Sequence, residues 1–547
     1  MYTVEDLRGV DLDWLLELQV RGTFYRFATS SLDLVDDDGI PLHFVGTLEP
    51  VEYMDESGVF QDQVSDRHIT LQLRFENGGP GGDALGITER AELDHDLGDA
   101  FAVVSLYRRG DSYNARQVML RGQIDLETGA PGDPVKVTVR ASPTLDRSLV
   151  PATQARVTRS TWPADGVQIS DPAVLDQFYP LVFGEPGRDG TPGSPGLLVR
   201  INSSTGNNST TDAWVLVCGQ EVAAGSVTVE NYTTPGTASA SIVVEEDSLG
   251  RRVSVVKLAA AALPITTGDE LWVSWDAGSG IPNHRKESTR GMGDLVRWLL
   301  GRSTLQIDTG RMRGLLQGLN AWYADFYVNG QRGAMQILVD DVLPMLPISP
   351  ATGPDGLYYF RWHLDPLPSV AIDLNLDLIG GEVVGSIVWS LLDEIANSHT
   401  ISFGWNPRSG DMEKRLTLAP FTGGDLDTET HLVAAASFTR YQGPDRTPLA
   451  AEPISSQAIK DPATALAILE ERLIWAAGRR RVMQIQLPQQ FQGILNPGSI
   501  VAVTEERHHL IDAVGLVTSV VRGPGSTMIT IVRPNVWVRD ALRATGT

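Results

Sequence analysis

The stretch DPATALAILEERLIWAAGRRRVMQIQLPQQFQGILNPGSIVAVT, Asp461 to Thr504, decides how the end of this chain folds. Asp461 can cap a helix, and Pro462 suits its first turn, where a missing N–H costs nothing. Leu466, Leu469 and Leu473 recur on one face, and Gly478 can end the helix. Arg479, Arg480 and Arg481 follow as the one basic run. Val482 to Leu487 reads as a strand, and Asn496-Pro497-Gly498 turns the chain into another from Ile500 to Val503. The order is helix, basic knuckle, strand, tight turn, strand.

Outward from this stretch the chain is β-rich. Its 547 residues suggest about three to four domains. Residues 1–145 predict an N-terminal β-barrel: Arg21–Phe27, Ile69–Phe75, Ala102–Arg108, Val118–Ile124 and Val135–Arg140 read as strands, with a turn at Asp36-Asp37-Asp38-Gly39. Residues 146–196 read as a bridge and Gly/Pro-rich linker. It ends in GEPGRDGTPGSPG, with glycine at 184, 187, 190, 193 and 196. That is the collagen register, so a triple-helical plug and a stiff extended linker are both open. The linker is preferred, because so few triplets do not hold three chains together.

Residues 197–283 predict an inserted β-sandwich, with strands at 197–201, 213–218, 225–231, 238–245, 251–258 and 270–275. The Gly/Pro-rich approach and a Gly278-Ser279-Gly280 exit read as surface hinges, so removing the unit is expected to leave the rest folded. Trp214, Trp272 and Trp275 either fill its core, the preferred reading, or stack on a glycan. Residues 284–435 predict a mixed region. It has helices over Met292–Leu300, around Leu315, Leu319 and Trp322, and around Ile387, Val388, Leu391, Leu392 and Ile395. Gln336–Val339 and Ala371–Leu378 read as strands. Residues 436–547 close with a second barrel. The fold class expected is α+β, predominantly β: multidomain, with two tube-like β-barrels, an inserted sandwich and a mixed α/β region.

The formal net charge is −24, from 44 basic and 68 acidic residues. This argues against a reader that grips nucleic-acid phosphates, since that affinity comes from Lys and Arg. It fits a surface past which DNA slides without sticking, and also plain solubility. The single cysteine, Cys218, sits in the apolar run WVLVC and reads as a small core residue. The N-terminal residues lack the apolar core of a signal peptide, and no run of about 18 apolar residues suggests a membrane span. No catalytic motif, metal-ligand spacing or cofactor loop is found. Gly79–Ala84 reads as a flexible loop, and His508-His509 as a loop tip.

The helix, basic knuckle, strand and "PG-x-(V/I)-V" turn of 461–504 resemble the C-terminal barrel of baseplate hub proteins of long-tailed bacteriophages and related gene transfer agents. Tyr179-Pro180-Leu181-Val182-Phe183-Gly184 and the run Gln117–Ile124 are similar to elements of the same tail-tip proteins. The resemblance implies a structural virion protein without enzymatic activity, made in the bacterial host cytoplasm. It implies a homotrimer whose two barrels per chain form a pseudo-sixfold ring. Such a ring would join a tail tube or distal tail protein to fibre or spike proteins and let DNA pass without specific binding. Arg479, Arg480 and Arg481 then hold acids of a neighbouring subunit, or else form a solvated face. A receptor- or carbohydrate-binding adhesin, with Trp214, Trp272 and Trp275 as glycan contacts, and a cell-wall glycan hydrolase are the alternatives.

Overall fold

A computed structural model describes residues 11–20, 23–49, 53–56, 67–73, 101–127, 135–141, 149–163, 168–169, 171–202, 204–222, 225–275, 290–303, 307–328, 330–352, 357–362, 372–390, 394–421, 427–442, 446–523 and 526–533. The expected Gly79–Ala84 loop and the Gly278–Gly280 exit lie outside them.

The N-terminal sheet has seven strands, ordered 23–28, 12–20, 101–108, 117–127, 135–141, 67–73 and 48–49. Alternating residues supply its core: Leu16 and Leu18, Val104 and Leu106, Val137 and Val139, Ile69 and Leu71. The strand Leu12–Val20 escapes sequence reading because its burial does not alternate and it includes acids. Asp13, 2% exposed, accepts hydrogen bonds from Thr29, Ser30 and Arg109, so its burial is compensated. Asp36–Gly39 is the expected turn. It closes the hairpin Leu32–Val35/Pro41–Phe44, with Gly39 at φ +79°.

The C-terminal sheet runs 372–375, 500–505, 510–522, 526–533, 481–488, 382–389, and the strand Tyr53–Glu56 pairs antiparallel with Ser519–Arg522. Its register follows the expected turn: Ser499 N–H donates to Asn496 O at 2.9 Å across Pro497-Gly498, and Gly498 has φ +84°. Three of its strands, 53–56, 372–375 and 382–389, come from before residue 436, so the expected boundary between 435 and 436 cuts through one sheet. The expected helix around Ile387–Ile395 is also corrected. Glu382–Trp389 is an antiparallel strand on Arg481–Pro488, with an irregularity between Val384 and Val388 and Gly385 at φ +72°. A bulge of this kind spaces apolar residues three and four apart and imitates a helical face.

The inserted unit has a five-stranded and a four-stranded sheet packed face to face. Its strands Leu197–Asn202, Ala213–Cys218, Ser226–Asn231, Arg252–Leu258 and Leu271–Trp275 fall within a residue of the expected places. Two stretches switch sheets, Ser194–Asn202 and Gly236–Glu246, and close both sides of the sandwich. Cys218 is fully buried there, and burial pushes its thiol up to about 11.

The mixed region holds the largest core. Helices Met292–Leu300 and Arg313–Leu319 contribute Val296, Leu299 and Leu316. Helix Pro462–Ala476 lays Ile468, Leu469 and Leu473 against Ile401 and Leu418 of the hairpin His399–Asn406/Asp411–Ala419. Asp461 caps this last helix, Oδ2 accepting from Thr464 N–H at 2.8 Å. Gln336–Val339 is not a strand: Ala334–Ile337 is α-helical and Leu338–Val342 continues as a π-turn. Burial of Met335, Ile337 and Leu338 alike erases the period that would separate helix from strand.

Candidate functional site

The segment 184–196 forms neither a collagen helix nor an extended linker. Gly184, Gly187 and Gly190 have φ of +64°, +89° and +89°, whereas polyproline needs about −75°. A Cβ on Gly187 would sit 2.6 Å from Ser274 Oγ, and one on Gly193 only 2.3 Å from the Val273 carbonyl oxygen. Separate close approaches, not a repeat, place these glycines. Most of the segment is buried, and its acids enter a charged junction.

Asp325 is the centre of that junction, 1% exposed. It accepts Arg290 through both carboxylate oxygens, and its Oδ1 accepts the Glu185 N–H at 2.7 Å. Arg290 Nε lies 3.4 Å from Glu185 Oε2, which also takes Arg188. Burial works against the Arg290 charge, but Asp325 and Glu185 outweigh it and its pKa rises. A second knot lies on the same segment. Asp189 accepts Lys414 Nζ at 2.7 Å, with Lys460 Nζ 3.8 Å away and bonded to Thr191 Oγ1 at 2.6 Å. Burial raises the Asp189 carboxyl, yet the bond from Lys414 and the charge of Lys460 leave it below the usual carboxylate range. Burial lowers Lys460 in turn, against the pull of Asp189 and Asp325.

Aromatic contacts extend the junction. Tyr327 stacks on Trp405 with centroids 5.7 Å apart, and Trp272 meets Tyr327 edge-on at 6.4 Å. At the hairpin tip, Arg408 Nε bonds Glu270 Oε1 at 2.9 Å and covers the Tyr232 ring. The core of the inserted unit includes Val182, Tyr327 and Trp405 from outside it. The unit therefore shares its core with the body of the protein, which weighs against a removable module.

The three tryptophans form no common platform. Trp275 is 1% exposed and donates to Ser194 Oγ, so it is core. Trp272 belongs to the junction. Trp214 lies on the other sheet, where Arg200 and Lys257 approach its ring at 4.6 and 3.9 Å. The arginine run makes contacts within its own chain. Arg479 Nε donates to Ser390 O at 2.7 Å, Arg480 pairs with Glu394 at 2.8 Å, and Arg481 covers Trp389. His508-His509 sits at the tip between strands 500–505 and 510–522, as expected. A cleft of about 410 Å3 opens beside Lys414, lined by Phe403, Glu413, Asp427, Glu429 and Pro462 among others. The charged junction itself was not legible, because its members stand at 185, 189, 290, 325, 414 and 460, with no local pattern linking them.

No protein-family model and no curated protein matches this chain. Among solved structures, the chain is similar to the tail protein from Neisseria meningitidis MC58 at 9% identity and TM-score 0.36, over 96% of this chain and 99% of that one. It is similar to a chain of the virion of the native gene transfer agent particle at 16% identity and TM-score 0.18, over 50% and 81%. A chain of the phage P2 baseplate in its activated conformation with Ca gives 8% and 0.16, over 70% and 97%. Likenesses at these scores assign no family.

Proposed function

We propose that this chain is a structural protein of a phage tail tip, acting as a trimeric baseplate hub. One observation carries the reading beyond the sequence resemblance. Each end of the chain builds a seven-stranded sheet around its own core, and the strand Tyr53–Glu56 hydrogen-bonds the N-terminal part directly into the C-terminal sheet. Two such units per chain, held side by side, are what a threefold assembly needs to present six similar faces to a sixfold tube. The role is to seat the tube, hold distal fibre or spike proteins, and let DNA pass; we assign it no catalytic step. The adhesin reading loses its shared aromatic platform, since Trp275 is core and Trp272 packs on Tyr327.

The test is light scattering on the purified chain with and without its neighbouring tail protein. A trimer is expected in at least the second case, and a strict monomer in both would refute the reading. The same preparation is expected not to retard duplex DNA at physiological salt. Tight, steeply salt-dependent binding would refute the conduit role, because it would mean that exposed cations grip phosphate.

A further inference from the structure

The strand Glu382–Trp389 is the last of its sheet, and among the described residues no strand pairs with its outer side. Sheet edges are ordinarily guarded by Lys, Pro or a short length. Here Val383, Val384, Ile387, Val388 and Trp389 stand with one charge, Glu382. The bulge near Gly385 twists the strand, so its far end offers a patch more than a ladder. Val388 is 57% and Trp389 47% exposed. Behind them Arg481 lies over the Trp389 ring and opposite Arg533 in the next strand. Neither arginine has an acidic partner among the described residues. Arg480 already answers Glu394. The edge thus carries apolar surface on both faces, Val388 on one and Trp389 on the other, and Trp389 shares its face with two guanidiniums that no acid neutralises among the described residues, in a chain of net charge −24.

The complement exists on the same chain. The hairpin Leu32–Val35/Pro41–Phe44 exposes Val35 (56%) and Ile40 (54%) on either side of its turn. The Asp36 carboxylate is occupied by the turn itself, accepting the N–H groups of Asp38 and Ile40. Asp37 and Asp38 are exposed and have no cationic partner among the described residues. Two apolar shoulders and two free acids face outward on one element. At the sheet edge two exposed apolar groups stand beside two half-buried arginines on the neighbouring strands that no acid answers among the described residues, Arg533 donating to the Val514 carbonyl.

We infer that the hairpin Leu32–Phe44 of a second copy of this chain seats on the Val388–Trp389 end of the strand Glu382–Trp389, with Asp37 and Asp38 meeting Arg481 and Arg533. The inference rests on the reading that the chain assembles with itself, and it names the seam. Because the two patches differ, the contact is head-to-tail, the type that closes into a ring when the rotation permits. Apolar contact excludes water around the charges, which is the setting in which close ion pairs contribute most.

The chain suits a cross-linking test, since its one cysteine, Cys218, is wholly buried. Val35→Cys and Val388→Cys are made singly and treated with a short bismaleimide, alone and mixed in equal amounts. A covalent dimer is expected only in the mixture. A cross-link within either single variant alone, or none in the mixture, overturns the seam. Asp37→Lys/Asp38→Lys is expected to weaken self-association by about 30-fold or more, as loss of close interfacial charge pairs does. Adding Arg481→Glu/Arg533→Glu should restore it. Duplex DNA that shields Val388→Cys from maleimide would reassign the cations to phosphate and also overturn the proposal. A trimer that persists without cross-linking sinks this seam and spares the trimer reading. A cross-linked, unclosed series of multimers does the reverse, and an uncross-linked monomer sinks both.

Discussion

Asp325 shows how much one carboxylate holds together. It takes Arg290 through both oxygens and a backbone N–H from the 184–196 segment, with 1% of its surface in water. Removing one partner of a buried pair leaves the other charge desolvated, at a cost of about 3–5 kcal/mol. Asp325→Ala is therefore expected to lower the denaturant midpoint by that scale, followed by tryptophan fluorescence. The double variant Arg290→Met/Asp325→Leu should recover part of the loss, since no lone charge remains. Equal losses in both would show that the pair is not what matters. At this scale the sequence is hard to read, because Asp325 has no neighbour in sequence that betrays its partners. Gly187 was visible but misread: its spacing mimics collagen, while its positive φ and the Ser274 side chain are tertiary facts.

Two titrating groups set opposite pH dependences on packed elements. His399 begins the strand His399–Asn406, is 6% exposed, and its Nε2 finds no partner among the described residues. Burial, helped by the charge of Arg472, pushes its pKa down to about 4. Unfolded, it takes a proton near pH 6.5. The unfolded state therefore binds more protons between these values, and stability falls as pH drops from about 6.5 to about 4. Glu471, on the helix Pro462–Ala476, is pushed up to about 7 by burial and by Glu470. The folded state binds the extra proton here, so stability falls as pH rises from about 4.5 to about 7. Glu471→Gln should raise stability at pH 8 by about 1–2 kcal/mol, and His399→Gln should flatten the acid limb. Melting curves from pH 4 to 8 read both, and identical profiles for wild type and variants would reject the assignment. Elements with clean signals were legible: Asp461 with its Pro462, and the alternating strands 226–231 and 271–275. The strand 382–389 was not, because a bulge borrowed the spacing of a helix.

The whole molecule is less modular than its sequence suggests. The strands within 197–275 were readable, but the unit shares its core with Val182, Tyr327 and Trp405. Deleting 197–275 is expected to give a chain that is insoluble or rapidly cut in limited proteolysis; a cooperative, protease-resistant product would restore the removable-module view. Two β-rich ends were legible from period-two runs. That the second sheet recruits 372–375, 382–389 and 53–56 was not, because strand pairing across long separations leaves no local trace. The placement of Tyr53–Glu56 on Ser519–Arg522 also has a consequence in time. A ribosome delivers residues in order, so the strand Tyr53–Glu56 waits until Ser519–Arg522 have been made, and non-local closure of this kind is slow. Native completion of this sheet is thereby tied to synthesis of the strand that carries Ser519–Arg522. A product that stops short of Ser519 cannot make this closure, so the fold itself distinguishes chains that carry both strands from shorter fragments.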